Sequence, residues 1–290
     1  MNSTQSHRVP AHSSSMTTEP LLDLQPETGL GHLRNAARDI LEGLGLLRLA
    51  LTLGWLDIRL RYRGSLLGPF WLTISTAVMV GSMGVLYATL FHINVRTYLP
   101  FLSFSLVLWG WLNMVITDGC EAFSGVAGMI HAVRMPYMVH ALRLAIRSFL
   151  IFLHSVPVII AVFLLLGVMP HFTWGECFGW LLLLTDTVAF SLLFGVLGAR
   201  IRDMAPIAAS IMQILFFVTP IIWRPELIYL GRQYMLLDPF YPLIEIVRAP
   251  LMGDVVRDTV WLMAVFYSGL LWIISFLLFA RMRSRLAYWV

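Results

Sequence analysis

Three arginines, Arg59, Arg61 and Arg63, fall within the stretch RLRYRGSLLGPFW and stand directly before a long apolar segment. Tyr62 lies between the last two of them. Guanidinium groups this close together can hold a phosphate group through paired hydrogen bonds. They can also orient the apolar segment by remaining on one side of a membrane, a role that requires only positive charge. The two roles are compatible, and the sequence leaves both open.

The rest of the chain offers little for catalysis. No Ser-His-Asp set, paired carboxylates or metal-ligand spacing stands out, so neither an enzyme site nor a metal site is predicted. All 20 basic residues are arginine, and a chain without lysine cannot contain the G-x-x-x-x-G-K-[ST] loop that binds ATP phosphates. Cys120 and Cys177 are predicted near opposite membrane faces, which argues against a disulfide. Nothing in the charge distribution indicates nucleic-acid binding.

Composition indicates that lipid is the solvent for most of the surface. Of the 290 residues, 59% are hydrophobic and 12% are charged, whereas about 25% are charged in an ordinary soluble domain. Windows long enough to cross a hydrocarbon core of about 30 Å predict six spans, at about 70–92, 99–117, 148–169, 178–198, 205–223 and 259–280. The predicted fold is therefore an all-α integral membrane protein.

The placement of the arginines predicts the orientation of the spans. Six spans put both termini on one side, and most arginines lie in the terminal regions, in the 118–147 loop and at Arg200 and Arg202. By the positive-inside rule, both termini are predicted to be cytoplasmic. Residues 1–32 are rich in Ser, Thr, His and Pro and are predicted to form a disordered tail, followed by a transmembrane domain over 33–285.

Residues 33–58 are predicted to form an amphipathic helix along the cytoplasmic surface. The apolar piece at 44–56 is too short to span a membrane and suits the lipid interface. One helical face carries apolar residues at spacings of three and four: Ile40, Leu41, Leu44, Leu47, Leu51, Trp55 and Ile58. This helix is expected to end in a turn that carries Arg59, Arg61 and Arg63, which we call the arginine turn and which bends into the first span at Gly68-Pro69.

The segment 224–258, between the fifth and sixth spans, is too interrupted by charge and proline to cross the membrane. It nevertheless carries a helical apolar stripe, with Glu245 and Arg248 at i, i+3 on another face; the stripe consists of Phe240, Leu243, Ile244, Val247 and Leu251. We expect one or two short re-entrant helices in the outer leaflet. Irregular backbone at that depth requires surrounding protein or a water-filled cavity, so the segment is expected to border a pathway.

Two ionisable residues are predicted inside the membrane. Asp186 lies in the fourth span, where an isolated carboxyl is costly, and we expect it to be hydrogen-bonded to a neighbouring helix or to line a wet cavity. A proton relay is the alternative. His154 in the third span is predicted at a different depth, so the two are not expected to pair.

Three stretches resemble the membrane-spanning permease subunits of ABC-2 type exporters, specifically those that export bacterial polysaccharides such as O-antigen, capsule and teichoic acid chains. They are DIRLRYRGSLLGPFWLTIS at 57–75, ARIRDMAPIAASIMQILFFVTPIIW from Ala199 to Trp223, and DPFYPLIEIVRAPLMG at 238–253. With the six-span pattern, the resemblance covers about residues 33–285. The fold that it implies has an N-terminal interface helix, a cytoplasmic coupling helix between spans two and three, and outer re-entrant helices.

The resemblance also implies partners. Two copies of the permease form a central pore, and two copies of a separate soluble subunit bind ATP, so this chain is expected to need no cofactor of its own. Contact with that ATPase is expected at the interface helix and the 124–136 region, through Arg48, His131 and Arg134. The expected location is the bacterial inner membrane.

The arginine turn then has a specific expected ligand, the phosphate or diphosphate of a lipid-linked polysaccharide, received by Arg59, Arg61, Tyr62 and Arg63. Aromatic rings stack on sugars, and four that cluster toward the spans flanking a pore are candidates for glycan contact: Tyr87, Phe91, Tyr98 and Trp109. Two other functions stay open. One is an ABC-2 permease for lipids or drugs, and the other is an ion-coupled secondary transporter, for which Asp186 is nearly the only support.

Overall fold

The computed structural model describes residues 31–68, 70–225 and 234–290. The regular structure of these residues is entirely helical, which confirms the all-α fold class. The chain forms α1 (Gly31–Gly45), α2 (Leu47–Arg61), α3 (Phe70–Leu90), α4 (Val95–Gly119), α5 (Ala127–Ala132), α6 (Tyr137–Leu166), α7 (Trp174–Arg200), α8 (Met204–Val218), α9 (Phe240–Leu251) and α10 (Asp258–Trp289). The predicted tail at 1–32 lies almost entirely outside the described residues, since α1 begins at Gly31.

Five of the six predicted spans are helices long and apolar enough to cross a membrane: α3, α4, α6, α7 and α10. The remaining predicted span, the fifth along the chain at 205–223, corresponds to α8. This helix has 15 residues and is therefore about 22 Å long. This helix ends at Val218 because Thr219 takes an extended conformation before Pro220, where a proline disfavours helix. The count of six spans therefore stays a prediction.

Helix α4 forms the centre of the bundle. It packs against α3, α6, α7, α8 and α9, and 78% of its apolar window is buried, against 11% for α3. Helix α3 therefore exposes most of its apolar surface. That surface faces lipid or another protein chain.

The N-terminal and C-terminal described helices lie at the same end of the bundle. The carboxylate of buried Asp39 in α1 accepts hydrogen bonds from Arg283 Nε of α10 at 2.9 Å and from the backbone N–H of Met138 at 3.1 Å. Asp39 thereby caps the beginning of α6 from a different helix. We call this end, which carries α1, α2, α5 and the C-terminal turns of α4, α7 and α10, the basic end.

The predicted interface helix is divided into α1 and α2 at Leu46, which has non-helical dihedral angles. Its protein-facing side is formed mainly by small residues and carboxylates; of the predicted apolar stripe, Ile58 is buried and Ile40 is half-buried. A side chain at Gly43 would place its Cβ 2.5 Å from Met138 Cβ, and one at Gly54 would lie 3.0 Å from the Arg143 carbonyl oxygen. The helices therefore approach α6 closely. Leu41, Leu44, Leu47, Leu51 and Trp55 of the predicted stripe are exposed on the outside.

Helix α6 begins at Tyr137, well before the predicted start of the third span at 148. The sequence window excluded these turns because they contain His140, Arg143 and Arg147. In the structure, the two arginines are on a helix, where their charges are paired with carboxylates of other segments. Because these charges are paired, they do not prevent the helix from extending through the segment that the sequence assigned to a loop.

Helix α7 passes very close to the end of α4 at Gly198. A Cβ built on this glycine would overlap the carbonyl oxygen of Cys120 and lie 2.7 Å from its carbonyl carbon. Because backbone cannot yield as a flexible side chain can, we expect Gly198→Ala to destabilise the protein by about 1–3 kcal/mol or more. The measurement is the thermal unfolding midpoint of the detergent-solubilised protein, which should fall by several degrees.

The matched control is Gly110→Ala in α4, where a Cβ would meet nothing within 4 Å. In the interior of a helix, this change should be neutral or slightly stabilising. An unchanged midpoint for Gly198→Ala would contradict the close approach of α4 and α7.

Candidate functional site

The arginine turn lies at the basic end, where α2 finishes. Arg59 and Arg61 occupy the last turn of the helix, and Tyr62 follows as its C-cap. Positive charge is favourable there because the C-terminus of a helix carries partial negative charge. Gly64 has φ of 85°, a left-handed conformation that glycine adopts without strain, and it reverses the chain after Arg63.

The three arginines differ in their surroundings. Arg59 and Arg63 are exposed, and within the described ranges neither forms an ion pair. Arg61 Nη1 lies 3.3 Å from Asp118 Oδ2, an oxygen that also accepts from Arg147 Nη2 at 2.8 Å. Two guanidinium groups are therefore free to bind a ligand, while Arg61 is partly held by α4.

A charged cavity of about 240 Å³ lies beside the turn. Its charged walls come from α2, from α4 with the turn after it, and from α6: they are Asp57, Asp118, Glu121, Arg143 and Arg147. Arg143 forms a two-pronged ion pair with Asp57, which ties α2 to α6. Arg147 joins α6 to α4 through Asp118. In the sequence, Asp118 and Glu121 stand near Arg134, Arg143 and Arg147, which predicts salt bridges that fix this segment. Of these, the pair between Asp118 and Arg147 is present, whereas Arg143 pairs with Asp57 of α2.

The predicted coupling region, 124–136, contains the short helix α5 as expected. Met129 Sδ of α5 accepts a weak hydrogen bond from Arg143 Nη1 at 3.7 Å, so Arg143 touches α2 and α5 together. Arg48, His131 and Arg134 are all exposed. They are available to another chain, and the described structure brings none of them into the charged cavity.

The four aromatic candidates divide into two pairs. Tyr87 in the last turn of α3 and Phe91 just after this helix are half-buried and stacked, with ring centroids 5.6 Å apart. Tyr98 is fully buried, and its hydroxyl donates to the Ile222 carbonyl oxygen at 2.5 Å. Trp109 is also buried, with its ring near those of Phe216 and Phe240. Of these four rings, only those of Tyr87 and Phe91 are open to a ligand within one subunit.

The opposite end of the bundle contains a charged cluster inside the protein, centred on Arg248 of α9. Arg248 is 1% exposed. It pairs with Glu245, as the i, i+3 spacing predicts, and donates to Ser105 Oγ at 2.9 Å and to the Pro220 carbonyl oxygen at 2.6 Å. Its guanidinium also lies 4.2 Å from the centre of the Phe101 ring. One side chain thus joins α9, α4 and the segment after α8.

Helix α9 itself is held at its beginning by Asp238, whose carboxylate accepts the backbone N–H of Phe240 at 3.0 Å. Burial raises the pKa of Asp238 above its ordinary value. The five residues of the predicted stripe on α9 are all buried. Part of the predicted outer segment, 226–233, lies outside the described residues, and its re-entrant path stays a prediction.

The intramembrane carboxyl of Asp186 has a partner on a neighbouring helix, as one of the two sequence-based alternatives anticipated. Its Oδ1 accepts a hydrogen bond from Ser268 Oγ of α10 at 2.5 Å. His154 is elsewhere, with Nδ1 2.7 Å from the Leu150 carbonyl oxygen. The expectation that Asp186 and His154 do not pair agrees with these contacts.

Three curated relatives match the chain, and no family model does. The O-antigen export system permease protein RfbA of Myxococcus xanthus is 25% identical over 189 residues, 64% of this chain and 71% of the relative. A Klebsiella pneumoniae protein of the same name is 24% identical over 176 residues, 59% of this chain and 67% of the relative. A second Klebsiella pneumoniae RfbA is 22% identical over 238 residues, 80% of this chain and 90% of the relative. These matches confirm the resemblance to polysaccharide-export permeases.

Sequence reasoning missed the ion pair between Asp57 and Arg143, whose residues lie 86 positions apart in the chain. One signal was present. In one continuous helix over the predicted 33–58, Asp39 and Asp57 would lie about five turns apart and share one face, and in the structure both carboxylates contact α6 although the helix is divided at Leu46.

Proposed function

We propose that this chain is the membrane-spanning permease subunit of an ATP-driven exporter that moves a lipid-linked polysaccharide, of the O-antigen type, across the bacterial inner membrane. The similarity to O-antigen export permeases, which extends over 80% of this chain in one relative, carries the proposal. The all-α bundle with five membrane-length helices supports it. The chain acts as a transport subunit, and ATP is hydrolysed by a separate partner.

The basic end faces the cytoplasm in this proposal, with both termini on that side. The positive-inside rule supports this orientation, because only Arg96, Arg224, Arg232, Arg248 and Arg257 lie outside the segments assigned to the cytoplasm. The contact between α1 and α10 supports a common side for the two ends.

The arginine turn captures the phosphate of the lipid-linked polysaccharide. Arg59 and Arg63 are exposed and provide the bidentate donors, with Tyr62 half-buried between them. Arg61, which shares Asp118 with Arg147, holds the turn against the bundle. Tyr87 at the end of the poorly buried α3, together with Phe91 just after it, presents the aromatic surface for the sugars.

Two permease subunits and two ATP-binding subunits form the complete exporter. The large exposed apolar surface of α3 supports a second permease copy as its neighbour in the membrane. Arg48, His131 and Arg134, exposed at the basic end, contact the ATP-binding subunit.

The test is ATP hydrolysis by purified subunits. Purified alone, this chain should hydrolyse no ATP, since it has no lysine for a phosphate loop. Co-expressed with the ATP-binding subunit of the exporter, it should copurify as a complex whose ATP hydrolysis exceeds that of the ATP-binding subunit alone. ATP hydrolysis by this chain purified alone would contradict the proposal.

A further inference from the structure

One face of the central helix α4 is left open in the half that leads to the basic end. Between Pro100 and Gly119 all residues are buried except five, which recur at helical spacing: Gly110, Asn113, Met114, Thr117 and Asp118. We call these five residues the open strip. A Cβ added at Gly110 would meet nothing within 4 Å. The open strip therefore borders a space that one subunit does not fill.

The open strip is polar and continues to the arginine turn. The side-chain amide of Asn113 has no hydrogen-bond partner among the described residues, whereas the Thr117 hydroxyl donates to the Asn113 carbonyl oxygen at 2.8 Å. Asp118, at the end of the strip, accepts hydrogen bonds from Arg61 and Arg147. Because Arg61 belongs to the arginine turn, the strip leads from this turn toward the middle of α4.

A second side-chain amide, Gln213, lies on the neighbouring helix α8. It is exposed and also lacks a side-chain hydrogen bond within the described ranges. Asn113 and Gln213 are the only amide side chains in the six predicted spans. The ring centroids of Trp109 in α4 and Phe216 in α8 are 6.1 Å apart, and each amide lies about one turn from this contact toward the basic end. Both amides therefore lie beside the same pair of helices at similar depth.

An amide at this depth is costly if lipid surrounds it. Transfer of an amide from water to an apolar medium without a compensating hydrogen bond costs about 2–7 kcal/mol. Polar side chains within membrane spans accordingly face the protein interior or a water-filled cavity. Two unpaired amides on neighbouring helices indicate that the space beside the open strip holds water or a polar ligand rather than lipid.

The chemistry of the strip selects the kind of ligand. Asp118 is the charged member, and both Arg61 and Arg147 already engage it, so an ion finds no free opposite charge in the strip. A side-chain amide both donates and accepts hydrogen bonds. The hydroxyl groups of sugars do the same. An uncharged polyhydroxyl chain therefore matches Asn113 and Gln213 better than a phosphate does.

We propose that Asn113 and Gln213 line the path of the polysaccharide and form hydrogen bonds with the hydroxyl groups of its sugars after the phosphate has been received at the arginine turn. This inference rests on the proposed function. A single hydrogen bond to a neutral group contributes only about 0.5–1.5 kcal/mol net. Each sugar is therefore held weakly, and successive sugars replace one another at the two amides as the chain moves.

The first experiment measures whether water reaches the two positions. Asn113→Cys and Gln213→Cys are made separately in a chain that carries Cys177→Ser, while Cys120 is buried and is kept. The complex of full-length permease and ATP-binding subunit is placed in lipid nanodiscs and treated with a charged maleimide. Both new cysteines should react, because the reactive thiolate forms in water and is disfavoured in apolar surroundings.

Ile273→Cys provides the matched control for labelling. Ile273 is exposed on α10 beside the exposed apolar residues Leu270, Ile274 and Leu277, so its replacement should react at least about tenfold more slowly, as one unit of raised thiol pKa implies. Labelling of Asn113→Cys and Gln213→Cys as slow as that of Ile273→Cys would overturn the inference, since both positions would then face lipid or a sealed subunit contact. That result would leave the proposed function standing, because labelling requires no substrate.

The second experiment replaces the amides by leucine, alone and together. Each of Asn113→Leu and Gln213→Leu should lower export about twofold to tenfold, the effect of one lost hydrogen bond. The thermal midpoint and the ATP hydrolysis of the complex should not fall, because neither amide bonds to the described protein. The readouts are surface polysaccharide, membrane abundance, thermal midpoint and ATP hydrolysis.

Thr185→Val is the control for the leucine variants. Thr185 is an exposed residue of α7 whose hydroxyl donates to the Leu182 carbonyl oxygen of its own helix, so this change should leave export intact. Full export by the double leucine variant would overturn the inference, and so would a loss of export that comes with a lower midpoint or failed assembly. Surface polysaccharide that does not depend on the unmodified chain would instead overturn the proposed function.

Discussion

Arg248→Met is expected to lower the thermal unfolding midpoint of the solubilised protein more than any other single change described above. Arg248 is the only link among the described residues that touches Glu245, Ser105 and the Pro220 carbonyl oxygen together. Removing one partner of a buried ion pair costs about 3–5 kcal/mol, because the remaining charge stays buried without compensation. Glu245 would be that remaining charge.

The double variant Glu245→Gln with Arg248→Met separates this cause from a simple loss of packing. If the uncompensated carboxylate is the main cost, the double variant should be more stable than Arg248→Met alone. Arg257→Met is the control, since Arg257 is an exposed arginine at the beginning of α10. A midpoint for Arg248→Met equal to that of Arg257→Met would contradict the buried cluster.

Replacing Arg59 and Arg63 by lysine is expected to reduce export about tenfold while leaving membrane insertion intact. Insertion requires only positive charge at the basic end. Phosphate capture requires the planar fork of guanidinium, which the point charge of lysine does not reproduce. Loss of one charge-assisted hydrogen bond, worth about 1.5–3 kcal/mol, corresponds to tenfold or more. The assay measures surface polysaccharide together with membrane abundance of the protein.

Arg61→Lys is expected to act differently, because Arg61 is held by Asp118 rather than free. It should affect the stability of the turn more than capture. Arg202→Lys is the control, since Arg202 is exposed at the same end and outside the turn. Full export by the Arg59 and Arg63 lysine variant would leave orientation as the only role of these arginines.

The regular parts of the fold were predictable because lipid imposes a simple rule on sequence. A helix that crosses hydrocarbon must be apolar over most of its length, so apolar windows locate α3, α4, α7 and α10 closely. The same rule misplaced the beginning of α6, where Arg143 and Arg147 are paired with distant carboxylates. An averaged window cannot recognise a charge whose partner lies in another segment.

The spacing of apolar residues predicted where helices form better than it predicted which face of each helix is buried. Five of the seven residues in the predicted apolar stripe of the interface helix are exposed, whereas Ile58 is buried, and contact of the stripe with lipid stays a prediction. The opposite face docks on α6 through Gly43, Gly54 and two carboxylates, which a hydrophobicity pattern does not detect. On α9, the apolar stripe identified residues that are buried, and the i, i+3 spacing placed Glu245 and Arg248 together on another face, but the burial of Arg248 was not predicted. Burial depends on Ser105 and Pro220, which reach Arg248 only through the tertiary fold.

The location of the polysaccharide in a strain that lacks this chain tests the central claim most directly. Deletion of its gene, with the remaining export genes intact, should abolish long polysaccharide at the cell surface, and lipid-linked polysaccharide should accumulate on the cytoplasmic side. Expression of the unmodified chain should restore surface display, and the Arg248→Met variant should not. Normal surface polysaccharide in the deletion strain, with no accumulation inside, would contradict the assignment of this chain as the export permease.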